Sequence, residues 1–357
     1  MNAFTELTGI EHPIVQGPFG GGLSTVELLA TVSEGGGLGS YGAHILDGQG
    51  IIELVAACRA RTRAPFNINL WVPQPGEPTT LSAADKNRLR PFYTELGTEP
   101  PHDIAAPDYA EQLAAVLEAA PAVASFVMGI PDTDFLASAR ERGIVTVGTA
   151  TTVDEAVAVE AAGMDAVVAS GSDAGGHRGA FLRPVRESLV GTFSLIPQVA
   201  QAISIPVVAA GGIADGRGIA AAMLLGADAV QIGTGFLATE QSGASAVHRA
   251  TLRSPAARTT VLTRLFSGRT ARGIVNRFTR EMAEFEADVP AYPAQNALMT
   301  PIRATAAQRG DAELLNLWSG QSAALAGSTD AGEYLTELTA GFPHDRESAQ
   351  NPTRFAQ

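Results

Sequence analysis

Cysteine is almost absent from this sequence. Its 357 residues include one, Cys58, so no disulfide can form within the chain. That excludes a disulfide-stapled scaffold and points to a reducing compartment, with the cytoplasm as the default. Basic residues are also scarce: 24 Lys and Arg stand against 37 Asp and Glu, a net charge of -13. No basic stripe is available to follow a phosphate backbone, so nucleic acid is not expected as a partner. No apolar run reaches the roughly 18–20 residues of a membrane span, so no membrane partner is expected either. The N-terminus MNAFTELTGIEHPIVQG lacks a basic segment ahead of an apolar one, which argues against a secretion signal. No HExxH or paired Cys/His spacing indicates a metal, and no GxxxxGK[ST] indicates a nucleoside triphosphate.

What is present is an alternation. Eight short apolar runs, at 13–18, 37–43, 66–72, 123–129, 144–150, 166–171, 206–212 and 229–235, read as strands. Helix-like stretches such as STVELLATVSEGG, TVDEAVAVEAAG and GRGIAAAMLLG lie between most of them, several closed by glycine. Strands this apolar, alternating with helices, imply a parallel sheet covered on its faces. Eight such units imply an α/β fold of the (β/α)8 TIM barrel type, with an open sheet as the alternative.

Two segments break the rhythm. Residues 73–108, after the third strand, form an insertion rich in proline and charge, with a helix expected near 82–96. It leaves from the end of the barrel where active sites lie, which predicts a lid. After residue 255 the alternation stops. TRLFSGRTARGIVNRF and EMAEFEA look helical, VPAYPAQNALMTPIR looks extended, and 328–341 looks like a last helix. The expected organisation is a barrel over 1–255, a cap covering its mouth over 256–327, and a C-terminal helix and tail over 328–357.

Glycines gather at the strand ends. The seventh strand ends in Gly211-Gly212, and the eighth in Gly233-Thr234-Gly235. Barrels often bind a phosphate between these two loops, where a Cβ would hold the oxygens away. Thr234 adds a hydroxyl. A flavin mononucleotide (FMN) suits one such phosphate site, with its ring across the barrel mouth. After the sixth strand, ASGSDAGGHRG fixes His177 among Gly175, Gly176 and Gly179. Glycine lets backbone approach something flat or charged. Histidine supplies a group that exchanges a proton near neutral pH.

The motifs PIVQGPFGGGLS, GSDAGGHRG, AAGGIADGRGIAAAMLLGADAVQIGTGFLATEQS, FSGRTARGI and WSGQ together resemble the nitronate monooxygenase family, formerly called 2-nitropropane dioxygenases. They run through nearly the whole chain. They are specific for the wider group of FMN barrels and less specific for the substrate. The resemblance implies FMN as cofactor, with the backbone of Gly17, Pro18 and Phe19 against the flavin ring and Asn69 beside it. It places Ser170, Gly175 and Gly176 in the cofactor site and assigns Gly211, Gly212, Gln231, Gly233 and Thr234 to the phosphate end. His177 becomes the acid/base residue. The implied reaction is oxidation of a small alkyl nitronate by O2 to a carbonyl compound and nitrite. The wider group also holds quinone reductases and enoyl-thioester reductases, so an NAD(P)H-dependent reductase on the same barrel is the alternative. A non-catalytic flavin-binding protein is a second alternative, although it has no need of a base at His177. A homo-oligomer is left open. Two positions depart from the family pattern: Asp173 stands where Glu is common, and Ser170 where Gln is common.

Neutral, His177 can take the α-proton of a nitroalkane; protonated, it can hold an anionic nitro group. Arg178 reads as a structural ion-pair partner or as a second cation for an anion. Asp173 reads as orienting the loop. His44 follows the second strand and reaches toward the mouth, whereas His12, His102, His248 and His344 have weaker placements. In the tail, Phe266, Phe278, Tyr292 and Trp318 line an apolar pocket or pack the core.

Overall fold

A computed structural model describes residues 2–340. All eight apolar runs are strands: β1 (Ile14–Gln16), β2 (Gly39–Gly42), β3 (Phe66–Trp71), β4 (Val123–Val127), β5 (Val145–Ala150), β6 (Ala166–Ser170), β8 (Val207–Ala210) and β9 (Ala229–Ile232). They pair in parallel in the order β1-β9-β8-β6-β5-β4-β3-β2. The bridge Val15↔Leu38 closes the ring, with Leu38 N donating to Ile14 O at 2.8 Å and Gln16 N to Leu38 O at 3.0 Å. The fold is a (β/α)8 TIM barrel. Inside it, Val15, Val123, Val147, Val168 and Val208 share one buried cluster.

The helices form between strands because each has a start signal and an apolar stripe. Asp47, Asp108, Asp132 and Thr152 each cap a helix by accepting from the backbone N–H three residues on. The helix Gly48–Arg61 buries Ile51, Leu54, Val55 and Cys58, the spacing of one helical face. The lone cysteine is thus part of the core.

The tail departs from the sequence reading. Residues expected as one helix over 263–278 instead hold parts of two strands, β10 (Thr260–Thr263) and β11 (Ala271–Ile274). These join β7 (Gly176–His177) in a three-stranded antiparallel sheet, β10-β11-β7. Local helical spacing lost to pairing with a distant segment, and the Thr-Val-Leu-Thr run suits a strand. The stretch expected as extended is largely the helix Ala294–Arg309, with Pro301 inside it. Proline disfavours a helix interior, where it removes a hydrogen bond. Burial of Leu298, Met299, Ile302 and Ala306 along one face outweighs its cost of about 3 kcal/mol. The last helix is Ala331–Thr339; the rest of the expected C-terminal tail, with His344, lies outside the described residues.

The insertion carries two helices, Ala83–Arg88 and Arg90–Leu96. Leu89, Phe92, Tyr93 and Leu96 are buried against the tail, in one cluster with Phe266, Phe278 and Leu298. The Tyr93 hydroxyl donates to Leu298 O at 2.7 Å, and Phe92 meets Phe278 edge-on at 5.0 Å. The insertion therefore supports the tail from behind.

Candidate active site

One cavity of about 650 Å³ lies at the C-terminal ends of the barrel strands. All thirteen residues singled out from the sequence line it: Gly17, Pro18, Phe19, Asn69, Ser170, Gly175, Gly176, His177, Gly211, Gly212, Gln231, Gly233 and Thr234. The tail supplies Tyr292, Asn296, Thr300, Arg303, Asn316 and Trp318 to the opposite wall. No residue of 73–108 lines it, so the expected lid is formed by the tail and not by the insertion.

The glycine loop does not hold His177 alone. Residues 176–177 are strand β7, and His177 pairs with Ala271 of β11. The tail thus fixes the histidine backbone. His177 Nε2 lies 2.8 Å from Ser267 Oγ. Ser267 Oγ also donates to Arg269 O at 3.1 Å and accepts from Arg269 N at 3.3 Å. With the serine proton on that carbonyl, Nε2 donates to the hydroxyl and the Nδ1 lone pair is free. Trp71 and Trp318 pack edge-on to the imidazole, with centroids at 4.8 and 5.2 Å. Burial, then the fields of His44, Arg269 and Arg303, lower the pKa of His177 to about 3. The ring is therefore neutral at physiological pH.

Around the loop, Asp173 Oδ2 accepts from Thr192 N at 2.8 Å, which anchors the turn. Arg178 is buried and donates to Gly171 O and Ser170 O, both at 2.7 Å. It holds the loop through carbonyls and does not line the cavity, so it is neither a second cation for an anion there nor a simple ion pair. The WSGQ segment, residues 318–321, bridges the histidine loop and the eighth-strand loop. Gln321 N donates to Asp173 O at 3.0 Å, and Gly320 N to Thr234 Oγ1 at 2.8 Å. A Cβ on Gly175 would stand 2.4 Å from Gly320 N, so glycine is needed there for packing.

A different glycine requirement holds at the eighth-strand loop. A Cβ on Gly233 would meet only Phe19 Cε1, at 3.8 Å. Its bare face looks into open cavity that a ligand can fill. Thr234 has its hydroxyl proton free, because Oγ1 serves Gly320 N as acceptor. Asn69 spends its amide N–H groups on Ser125 O and Oγ, at 3.2 and 2.9 Å, and keeps its Oδ1 for the cavity. The Gln231 amide has no partner among the described residues. Bare glycine backbone, a free hydroxyl, a free carbonyl and a free amide in one apolar-walled cavity fit a flat heterocycle with one phosphate.

Other residues enter that the sequence ranked lower. The His44 ring lies flat on the Trp71 indole, with centroids 3.8 Å apart and planes 1° from parallel. Its Nδ1 is sealed and unpartnered, and burial followed by Arg269 lowers its pKa to about 3. A Cβ on Gly20 would overlap this ring, which explains that glycine. His248 also lines the cavity, with Nε2 3.1 Å from Trp318 O. His12 precedes β1 at the other end of the barrel. Tyr292 and Trp318 line the cavity, whereas Phe266 and Phe278 pack against each other at 4.9 Å in the tail's core. Asn296, Thr300 and Arg303 stand at i, i+4 and i+7 of one helix. That signal was visible in the sequence only to a reader who expected a helix there.

Comparisons with known proteins show the family and the fold. The family model described as nitronate monooxygenase matches residues 1–341. A protein of Staphylococcus aureus named "Probable nitronate monooxygenase" is 42% identical over 341 residues, covering 94% of this chain and 96% of the relative. The structure is similar to nitroalkane oxidase from Streptomyces ansochromogenes, with a TM-score of 0.88 and 41% identity over 95% of this chain and 97% of the other. It is also similar to FabK from Thermotoga maritima, with a TM-score of 0.75 and 30% identity over 96% of each chain. Among the described residues no helix is long and apolar enough to cross a membrane.

Proposed function

The chain belongs to the nitronate monooxygenase family of flavin-dependent oxidoreductases, and from that premise we propose that it binds FMN and oxidises alkyl nitronates with O2 to a carbonyl compound and nitrite. The observation that carries this reading is the neutral His177, its tautomer set by Ser267, facing the cavity lined by the glycine loops. Gly211, Gly212, Gly233 and Thr234 would hold the phosphate, with Gln231 beside them. Gly17, Pro18, Phe19, Asn69, Ser170, Gly175 and Gly176 would flank the ring. When bound, the flavin supplies the electron acceptor and the route to O2.

The protein's own part is orientation and proton control. His177 presents an unprotonated Nδ1, which suits removal of an α-proton. Yet a pKa of about 3 makes it a weak base, far from the optimum near the working pH. A substrate that arrives already deprotonated avoids that penalty. The site therefore favours nitronates over neutral nitroalkanes. Trp71, Trp318 and Tyr292 exclude water from the imidazole.

The alternative, an NAD(P)H-dependent reductase, shares the barrel, as the likeness to FabK illustrates. Anaerobic mixing of the yellow protein first with NADPH and then with a nitronate decides between them. Bleaching of the flavin by the nitronate and not by NADPH is expected. Rapid bleaching by NADPH would favour the reductase, and no bleaching by either would leave a binding protein.

A further inference from the structure

The cavity has a single formal charge. No Asp, Glu or Lys lines it among the described residues, and Arg303 is its one arginine. The chain as a whole carries a net charge of -13, yet no acid faces this guanidinium. Arg303 makes no ion pair among the described residues.

Its orientation is set from its own helix. Nη2 donates to Asn296 O at 3.2 Å, to Asn296 Oδ1 at 2.9 Å and to Thr300 Oγ1 at 3.1 Å. Nε and Nη1 have no hydrogen-bond partner among the described residues and are not sealed off. Nη2 is therefore anchored, and Nη1 and Nε are left as separate free donors. It lines the same cavity as His177. Burial lowers its pKa to about 10, which leaves it charged at neutral pH. A half-buried cation without a counter-ion favours an anionic ligand.

We propose that Arg303 is the counter-charge of the substrate and donates to an oxygen of a nitronate through Nη1. This rests on the reading of the protein as a nitronate-oxidising enzyme. A nitronate spreads its negative charge over two oxygens on one nitrogen, the planar fork that a carboxylate also offers. An Nη1–H donating to one of these oxygens makes a charge-assisted hydrogen bond, while Nη2 stays on its helix partners. A neutral nitroalkane has the two oxygens without the charge. Arg303 is thus a specificity-determining residue that separates the two.

The test uses flavin-loaded wild type, Arg303→Lys and Arg303→Gln. Nitrate and acetate, both planar oxyanions, and bromide, a sphere, are titrated while the flavin absorbance is followed. KM and kcat are then measured for a nitronate and its parent nitroalkane. In wild type the planar anions should bind more tightly than bromide. Both variants should weaken them, Arg303→Gln by roughly 10–100-fold and Arg303→Lys by about tenfold, because the ammonium loses the Asn296 and Thr300 anchors that aim the donor. The nitronate KM should rise by a similar factor, and kcat/KM for the nitronate should fall about tenfold more than for the nitroalkane. Wild-type affinity for nitrate in Arg303→Gln would overturn the inference. So would loss of flavin from that variant, which would assign the arginine to the cofactor's phosphate. If wild type oxidises neither compound while nitrate binding still depends on Arg303, the anion site stands and the proposed function falls. Should Arg303→Gln fail to fold, the lysine variant decides by the same criterion.

Discussion

His177 works through what surrounds it. The Ser267 hydroxyl sets its tautomer, and burial keeps it neutral. His177→Asn keeps a similar size and removes the base. It should lower kcat/KM for a nitroalkane by about 10²-fold, the low end of general-base effects, because the imidazole is a weak base. Preformed nitronate needs no α-proton removed, so its turnover should fall less, with FMN content near wild type. Equal losses on both would point to anion holding instead of proton transfer. The pH profile gives a second expectation. A histidine in water titrates near 6.5; this one is held at about 3. Nitroalkane kcat/KM should therefore stay level from pH 8 down to about 5, with no step near 6.5. A step near 6.5 would mean that the imidazole is hydrated during turnover.

At the scale of elements, the site is a loop system tied together by the tail. β7 carries His177 and pairs with β11, and residues 318–321 clamp the histidine loop to the eighth-strand loop. The glycines within this system do two separate jobs, and alanine tells them apart. At Gly233 the backbone has φ -94 and an added Cβ meets nothing closer than 3.8 Å. Gly233→Ala should fold as wild type, with an unchanged melting temperature for flavin-free protein, and bind FMN more weakly. At Gly175 the same methyl stands 2.4 Å from Gly320 N. Gly175→Ala should cost about 1–3 kcal/mol in a urea titration, because loop and clamp must separate. Reversed outcomes, with Gly233→Ala destabilised and Gly175→Ala stable, would refute this division.

For the whole molecule, three histidines, one buried and two half-buried at the cavity, set the response to acid. Burial is the leading cause in each and lowers the pKa of His44 and His177 to about 3 and of His248 to about 4. Unfolded, each titrates near 6.5. Above pH 6.5 neither state binds these protons and they do not affect stability. Between 6.5 and about 4 the unfolded chain binds about three more protons than the folded one, so stability falls as pH falls. Urea midpoints should drop steeply from pH 6.5 to 5, and His248→Gln should reduce that slope by about one proton. An unchanged slope would mean that His248 is protonated in the folded protein. The barrel itself was legible from residues: short Val- and Ala-rich runs buried on both faces can hardly be anything but parallel strands. So were the glycine loops and His177, because a chain that must leave bare backbone at a strand end has to write glycine there. The tail was not. Its strands exist because β11 pairs with a two-residue strand far away in sequence, and its helix because a buried face outweighs Pro301. Ser267 lies 90 residues from the histidine it orients. Arg303 gained its meaning only when folding brought it to a cavity without an acid. Local pattern determined the scaffold and the glycine loops at its mouth. Tertiary structure decided the tautomer, the charge and the covering wall, since each depends on groups that only folding brings together.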